Sequence, residues 1–271
     1  MTLIELKSVS GSFGAGKVSD VSLRLPNGKT YGVFSHTYAD AVALLALLGG
    51  AHTPTCGNIL VGGFDMHREA KQARRGIAYL DADLLPDDAL TPIEYLMTIA
   101  DMRELPYDKT LRQVHEMLDI ADLASKKETL IANLSRGEKR ILTLLQLLLG
   151  NPESLVLTSP ISGLLPKDTQ KARDLIKHFA KTHTVFLCTP STHDLYEICD
   201  EIIVLQNGTF KAVLSAEDEA LEKEFAVAAP LEESAPSAPT SKRRNASRWK
   251  MLLQGSGEYE VLDADQKEDM H

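Results

Sequence analysis

The stretch LSRGEKRILTLLQLLLGNPESLVLTSPISGLLP, Leu134 to Pro166, decides the fold class. Ser135 is a strong N-cap residue, and Glu138 follows it at the three-residue spacing of a capping box, so a helix opens here. The apolar residues that follow carry this helix to a turn. Ser154-Leu155-Val156-Leu157 is then a short apolar run, the pattern of a strand buried in a parallel sheet. A second turn closes the stretch before Pro166. The free backbone N–H groups of a helix start attract anions, which makes Ser135, Arg136, Gly137 and Glu138 a candidate binding loop.

Working outward, residues 3–8 and 19–25 read as strands, with Gly11, Gly14 and Gly16 marking the loop between them. Asn27-Gly28 is a hairpin-type turn signal. Thr30 to Ser35 is a buried strand. Asp40 then opens an apolar helix over 41–48, which Gly49-Gly50 ends. Residues 58–62 and 76–80 are short strands. Thr91 and Pro92 start an amphipathic helix through about Arg103, and residues 108–120 form another, with Leu111, Val114, Met117 and Leu118 on one face. Downstream of the central stretch, helices at 167–181 and 193–198 flank a strand at 184–188. A hairpin turning at Asn207-Gly208 closes the folded part. Strands alternating with helices imply a largely parallel sheet. From Ala229 the composition turns to Pro, Ala, Ser and charge, which predicts a linker and tail over 227–271, mostly disordered. Within it, Lys242 to Leu253 is basic with an apolar end. It reads as a solvated run or as a segment touching an anionic membrane face.

The chain has 271 residues, enough for one large domain or two small ones, and its 44% hydrophobic and 25% charged residues are ordinary for a globular protein. A formal net charge of −9 gives no reason to expect nucleic acid as a partner. Cys56, Cys188 and Cys199 lie far apart without metal-ligand spacing, so no metal site is expected. They fit a reducing compartment. No apolar run approaches the ~20 residues that span a bilayer, and the first residues carry no signal-peptide pattern.

The central stretch and the order of elements resemble the ATP-binding subunit of ABC transporters. The signature of that family usually reads LSGGQ, and its Walker B strand runs on into DEPTSGLDP. The resemblance covers about residues 3 to 214 and looks closest to subunits serving exporters of the drug or lipid type. It implies an α/β fold of the P-loop NTPase kind. The core would be a mainly parallel sheet, joined by an antiparallel β part and a helical subdomain at about 84–150, in a domain spanning 1–226.

Set position by position against the family, the nucleotide motifs of this chain depart. The phosphate loop, G-x-x-x-x-G-K-[ST], wraps phosphates in backbone N–H groups, with a Lys and a magnesium-binding hydroxyl. Here the stretch is Ser35-His36-Thr37-Tyr38-Ala39-Asp40-Ala41-Val42. Both glycines are gone. Ala41 stands for the Lys and Val42 for the hydroxyl. Asp40 puts a carboxylate at the helix start, where it is expected to satisfy the free N–H groups and repel phosphate. Phe13 falls where the family stacks an aromatic on adenine, but it reads first as a Phe packed beside a glycine turn. The Gln of the family's Gln loop would fall near Ala82, between Asp81 and Asp83. Thr158 and Ser159 replace the Walker B Asp and the catalytic Glu, and hydroxyls are not bases at neutral pH. Leu165 replaces the Asp of the D-loop, and Pro190 replaces the switch His. His193, three residues on, reads as an exposed helix residue.

The resemblance therefore implies a degenerate subunit with no catalytic residues of its own. ATP and magnesium would be held only at a site completed by a partner. The expected partners are a membrane permease subunit and an active ABC ATPase subunit, at the inner face of the cell membrane. The partner's triphosphate would meet Ser135, Arg136, Gly137 and Glu138. The alternative is a non-catalytic scaffold or regulatory homodimer that keeps the fold for protein contacts. A weak ATPase with displaced residues such as His193 or Asp83 ranks third.

Overall fold

A computed structural model describes residues 4–218 together with Leu221, Glu224 and Phe225. The tail expected over 227–271 lies outside the described residues. Strands β1 (Ile4–Phe13), β2 (Gly16–Leu25), β4 (Cys56–Val61) and β5 (Phe64–Asp65) form an antiparallel sheet in the order β2-β1-β4-β5. A six-stranded sheet is built from β3 (Thr30–Ser35), β6 (Ile77–Leu80), β7 (Ser154–Thr158), β8 (Thr184–Cys188), β9 (Glu201–Gln206) and β10 (Thr209–Ser215). Its order is β10-β9-β3-β8-β7-β6. All its neighbours run parallel except β10 on β9. This is the ABC ATPase fold, with a mixed, largely parallel sheet, an antiparallel β subdomain and helices.

Helix α1 (Tyr38–Leu48) lies between the two sheets. Ala41, Ala43, Leu44, Leu45, Leu47 and Leu48 pack in one core with residues of β1, β2, β3, β7 and β8. A helix apolar all round must be covered all round. The second core fills the other face of the parallel sheet. There α3 (Pro92–Met102), α4 (Tyr107–Ile120), α5 (Arg136–Leu145), α6 (Pro166–Phe179) and α7 (Thr192–Ile198) bury their apolar stripes. Among the described residues, no helix is long and apolar enough to cross a membrane.

Three local expectations are corrected. Gly11 and Gly16 lie within strands, and the turn is only Gly14-Ala15. Gly16 serves close approach instead, because a Cβ there would stand 1.9 Å from the Ala39 carbonyl oxygen. Asn27-Gly28 is no hairpin, since β2 and β3 belong to different sheets. A positive-φ glycine suits a crossover turn as well as a tight one. Helix α1 begins at Tyr38, two residues ahead of Asp40, with Thr37 at its N-cap and no side-chain cap bond.

Gly16→Ala is expected to force the hairpin off the start of α1 and cost about 1–3 kcal/mol, as overpacking does. A urea unfolding curve checks this, with the midpoint falling while the slope stays unchanged.

Candidate functional site

The C-terminal ends of β3, β6, β7 and β8 converge beside the start of α1, the place where open α/β sheets bind ligands. Between Ser35, which ends β3, and Tyr38, which opens α1, only His36 and Thr37 are loop. Five of the eight phosphate-loop positions, Tyr38 to Val42, are therefore helical. Ala41 is wholly buried in the α1 core and Val42 packs against it. Ser35 is buried, with no hydrogen-bond partner for its hydroxyl.

Asp40 stands in the first turn of α1 but makes no side-chain cap bond. Its buried carboxylate turns toward β2 and accepts the Lys17 amide at 2.9 Å. The close contact at Gly16 sets this up: the hairpin sits against Ala39, and the next amide along needs an acceptor.

The residue at the strand ends is Tyr38. Its hydroxyl hydrogen-bonds Ser159 Oγ and lies 3.5 Å from Cys188 Sγ. Burial, then the neighbouring Cys188, pushes the Tyr38 phenol far above its ordinary range. Burial also raises the Cys188 thiol to about 11. Tyr38 went unread in the sequence because the loop pattern leaves that position unconstrained. The signal was a bulky aromatic where a phosphate wrap needs small residues.

The Walker B hydroxyls are likewise engaged. Thr158 Oγ1 accepts the Ala82 amide at 2.9 Å and donates to the Leu80 carbonyl at 3.1 Å. It thereby ties β7 to the end of β6. Ser159 adopts a positive φ of 45° and donates its amide to the Cys188 carbonyl at 3.0 Å. The Arg140 guanidinium donates to the Ala82 carbonyl at 2.7 Å. Tyr79 donates to Asp81 at 3.1 Å, and the Asp83 amide bonds the same carboxylate at 3.0 Å. Thr158, Ala82 and Arg140 are thus brought together, whereas Pro190 and His193 are exposed. The Phe13 ring is half-buried and packs on His52, with centroids 4.5 Å apart and tilted by 57°. Tyr38 and Cys188 are both held protonated, while His36, in the two-residue loop before Tyr38, has a buried Nδ1 without a hydrogen-bond partner. Among the described residues, no group of three His, Cys, Asp or Glu could hold a metal.

At the start of α5, both bonds of the expected capping box form. Ser135 Oγ accepts the Glu138 amide at 3.2 Å, and Glu138 accepts the Ser135 amide at 2.9 Å. Glu138 also pairs with Lys126 at 2.6 Å. Burial works to raise this carboxyl, but the bonds from Lys126 and Ser135 outweigh it and hold the group below its ordinary range. Gly137 leaves room for the Asp168 carboxylate, which would lie 2.2 Å from a Cβ at that position. Arg136 is exposed, and its guanidinium lies over the backbone of Gly163, where a Cβ would be 2.7 Å from Nη2.

Residues 18–162, more than half of the chain, match the family described as ABC transporter. Among curated proteins, the methionine import ATP-binding protein MetN of Geobacillus kaustophilus is 27% identical over 208 residues, covering 74% of this chain and 60% of that protein. MetN 1 of Salmonella paratyphi A is 27% identical, covering 76% and 63%. MetN 2 of Enterococcus faecalis is 26% identical, covering 77% and 64%. The chain thus spans 60–64% of the length of these relatives. Among solved structures, a nucleotide-free ATP-binding cassette from an ABC transporter superposes with a TM-score of 0.70 at 17% identity, covering 83% of this chain and 96% of that one. A dimeric, post-hydrolysis cassette bound to ADP and Pi gives 0.66 at 18% identity, covering 79% and 99%.

Because the Glu138 carboxyl is depressed in the fold, its contribution is present above the ordinary glutamate pKa and lost as pH falls through the folded value. Unfolding of the parent and of Glu138→Gln, compared from about pH 6 down to about pH 3 around that reference, is expected to show a stability gap that closes on acidification.

Proposed function

The chain belongs to the ABC transporter family, and from that membership we propose that it is a cassette subunit that neither holds nor hydrolyses MgATP by itself. It pairs with an active ATPase subunit and a membrane permease, and so sits at the inner face of the membrane. The observation that carries this reading is the seam between β3 and α1. A two-residue loop has no length to wrap a triphosphate, and the Tyr38 hydroxyl is already bonded to Ser159 beyond it.

The residues at the seam do not fit a magnesium triphosphate. No cation replaces the lysine at Ala41, and Val42 offers no oxygen to a metal. Thr158 spends its hydroxyl on β6, and Phe13 presents its ring to His52. A ligand there would have to break buried bonds and replace each of them, at about 1–3 kcal/mol for every group left unsatisfied. No catalytic step is therefore assigned to this chain. Its contribution to a partner's ATP is the start of α5, through Ser135, Arg136 and Gly137. The relatives above are named for import, which weighs against the exporter-type likeness.

The second reading, a scaffold or regulatory homodimer, is favoured by one observation. Glu138 and Asp168, two of the chain's own carboxylates, already serve the mouth of α5.

Titration calorimetry of the chain with MgATP is expected to show no saturable binding up to millimolar nucleotide. A submillimolar Kd would overturn the first reading. In a purified complex with an active cassette, Arg136→Ala is expected to lower the partner's ATP turnover by roughly tenfold or more, the scale of a lost charge-assisted contact. Unchanged turnover favours the scaffold.

A further inference from the structure

Away from the strand ends, a cavity of about 280 Å³ opens at the far end of α1, between the turn that follows the helix and the segment joining β5 to α2 (Ala70–Ala73). Gly50, His52, Asp65, His67, Arg68 and Arg74 form its polar wall. The wall is unbalanced in charge. Its one carboxylate, Asp65, is buried and accepts the amides of His67 at 2.8 Å and Arg68 at 2.9 Å through the same oxygen. The Arg68 amide is the largest influence on this carboxyl and, with that of His67, holds it below its ordinary range against burial. Neither Arg68 nor Arg74 forms an ion pair among the described residues. The Arg74 guanidinium donates to the neutral Gly50 carbonyl at 3.3 Å. Within the lining one carboxylate stands beside two guanidiniums, and the nearby Glu69 carboxylate, outside the lining, accepts the Asp65 amide at 3.1 Å. The floor is apolar and supplied by Ile59 and Met66, both buried.

We propose that this cavity binds a small phosphate monoester, with Arg68 and Arg74 on the phosphate and the organic part over Ile59 and Met66. Three features select that class. The arginine fork matches phosphate oxygens and forms charge-assisted bonds to them. A monoester carries close to two negative charges at neutral pH, which balances two guanidiniums. The volume exceeds what a bare phosphate fills and lies at the small end of ligand sites. This is not the cassette's nucleotide position. The eleven residues of α1 lie between the two places, a span of about 16 Å at 1.5 Å per residue.

The test is titration calorimetry of the full chain with glycerol 2-phosphate at constant ionic strength. Saturable binding with a Kd of order millimolar is expected. The Kd should rise at least roughly tenfold in Arg68→Ala/Arg74→Ala and stay unchanged in Arg112→Ala, which removes an exposed arginine of α4 outside the cavity. Circular dichroism confirms that the double variant is folded. Should it not fold, Arg68→Gln is read instead by the loss of phosphorus-31 line broadening. Absence of saturable binding, retention of full affinity in the arginine variants, or equal affinity for succinate would each overturn the assignment.

Discussion

The burial of α1 on both sides is the constraint from which the other placements follow. A helix written YADAVALLALL offers no polar face to solvent. The parallel sheet covers one side of it, so a second layer must cover the other. The antiparallel sheet supplies that layer, and its approach is unusually close because Gly16 carries no side chain over Ala39. Asp40 fastens the layer from the helix side by accepting the Lys17 amide. Two sheets that share no strand thus behave as one core. Ile4, Val9, Leu45, Phe186 and Ile203 belong to a single buried cluster. The position of α1 also determines what stands over the strand ends.

Polar groups buried at those strand ends are satisfied within the chain. Thr158 bonds Ala82 and Leu80, Ser159 bonds Tyr38 and Cys188, and Tyr79 bonds Asp81. In a low-dielectric interior such a network resists opening, because any member set free bears its whole desolvation cost. An empty binding site normally leaves donors aimed at the missing ligand. Here the helix start has advanced to Tyr38 and the phenol fills the gap. The exceptions are the Ser35 hydroxyl, His36 Nδ1 and Arg140 Nη1, all buried without hydrogen-bond partners. None lies on a loop long enough to gather phosphates.

Legibility in the sequence followed the strength of local signals. The run Ser154 to Leu157, the Thr91-Pro92 start and the Ser135–Glu138 box state their structures through burial, φ restriction and reciprocal hydrogen bonds, and the structure has each of them. Asn207-Gly208 turns its hairpin with φ positive at both residues, as such a turn requires. Asn27-Gly28 carries the same dipeptide but leads into another sheet, a fact of tertiary pairing that no dipeptide encodes. Asp40 was misread for the same reason. A carboxylate near a helix start usually caps it, yet here a strand remote in sequence offered a nearer donor. Tyr38 was invisible as a site residue because its effect depends on β7 and β8 converging beneath it.

The two ends of the nucleotide machinery differ in how much remains unspent. At the phosphate loop the Ser35 hydroxyl and His36 Nδ1 remain, both buried. At the start of α5 the hydroxyl of Ser135 and the carboxylate of Glu138 are consumed by the capping box, and Asp168 presses on Gly137. Arg136 alone violates local preference. It places a cation at the positive end of a helix dipole and stands one turn before Arg140. Its charge works with burial to hold the Arg140 guanidinium below its ordinary range. It rests on Gly163 without an ion pair among the described residues. Local rules tend to break where function outweighs stability, and an anion arriving from outside the chain would resolve all these conflicts together. A scaffold that used the fold only for contacts would gain nothing from keeping Arg136 in so unfavourable a place. This weighs toward a subunit that completes another's site.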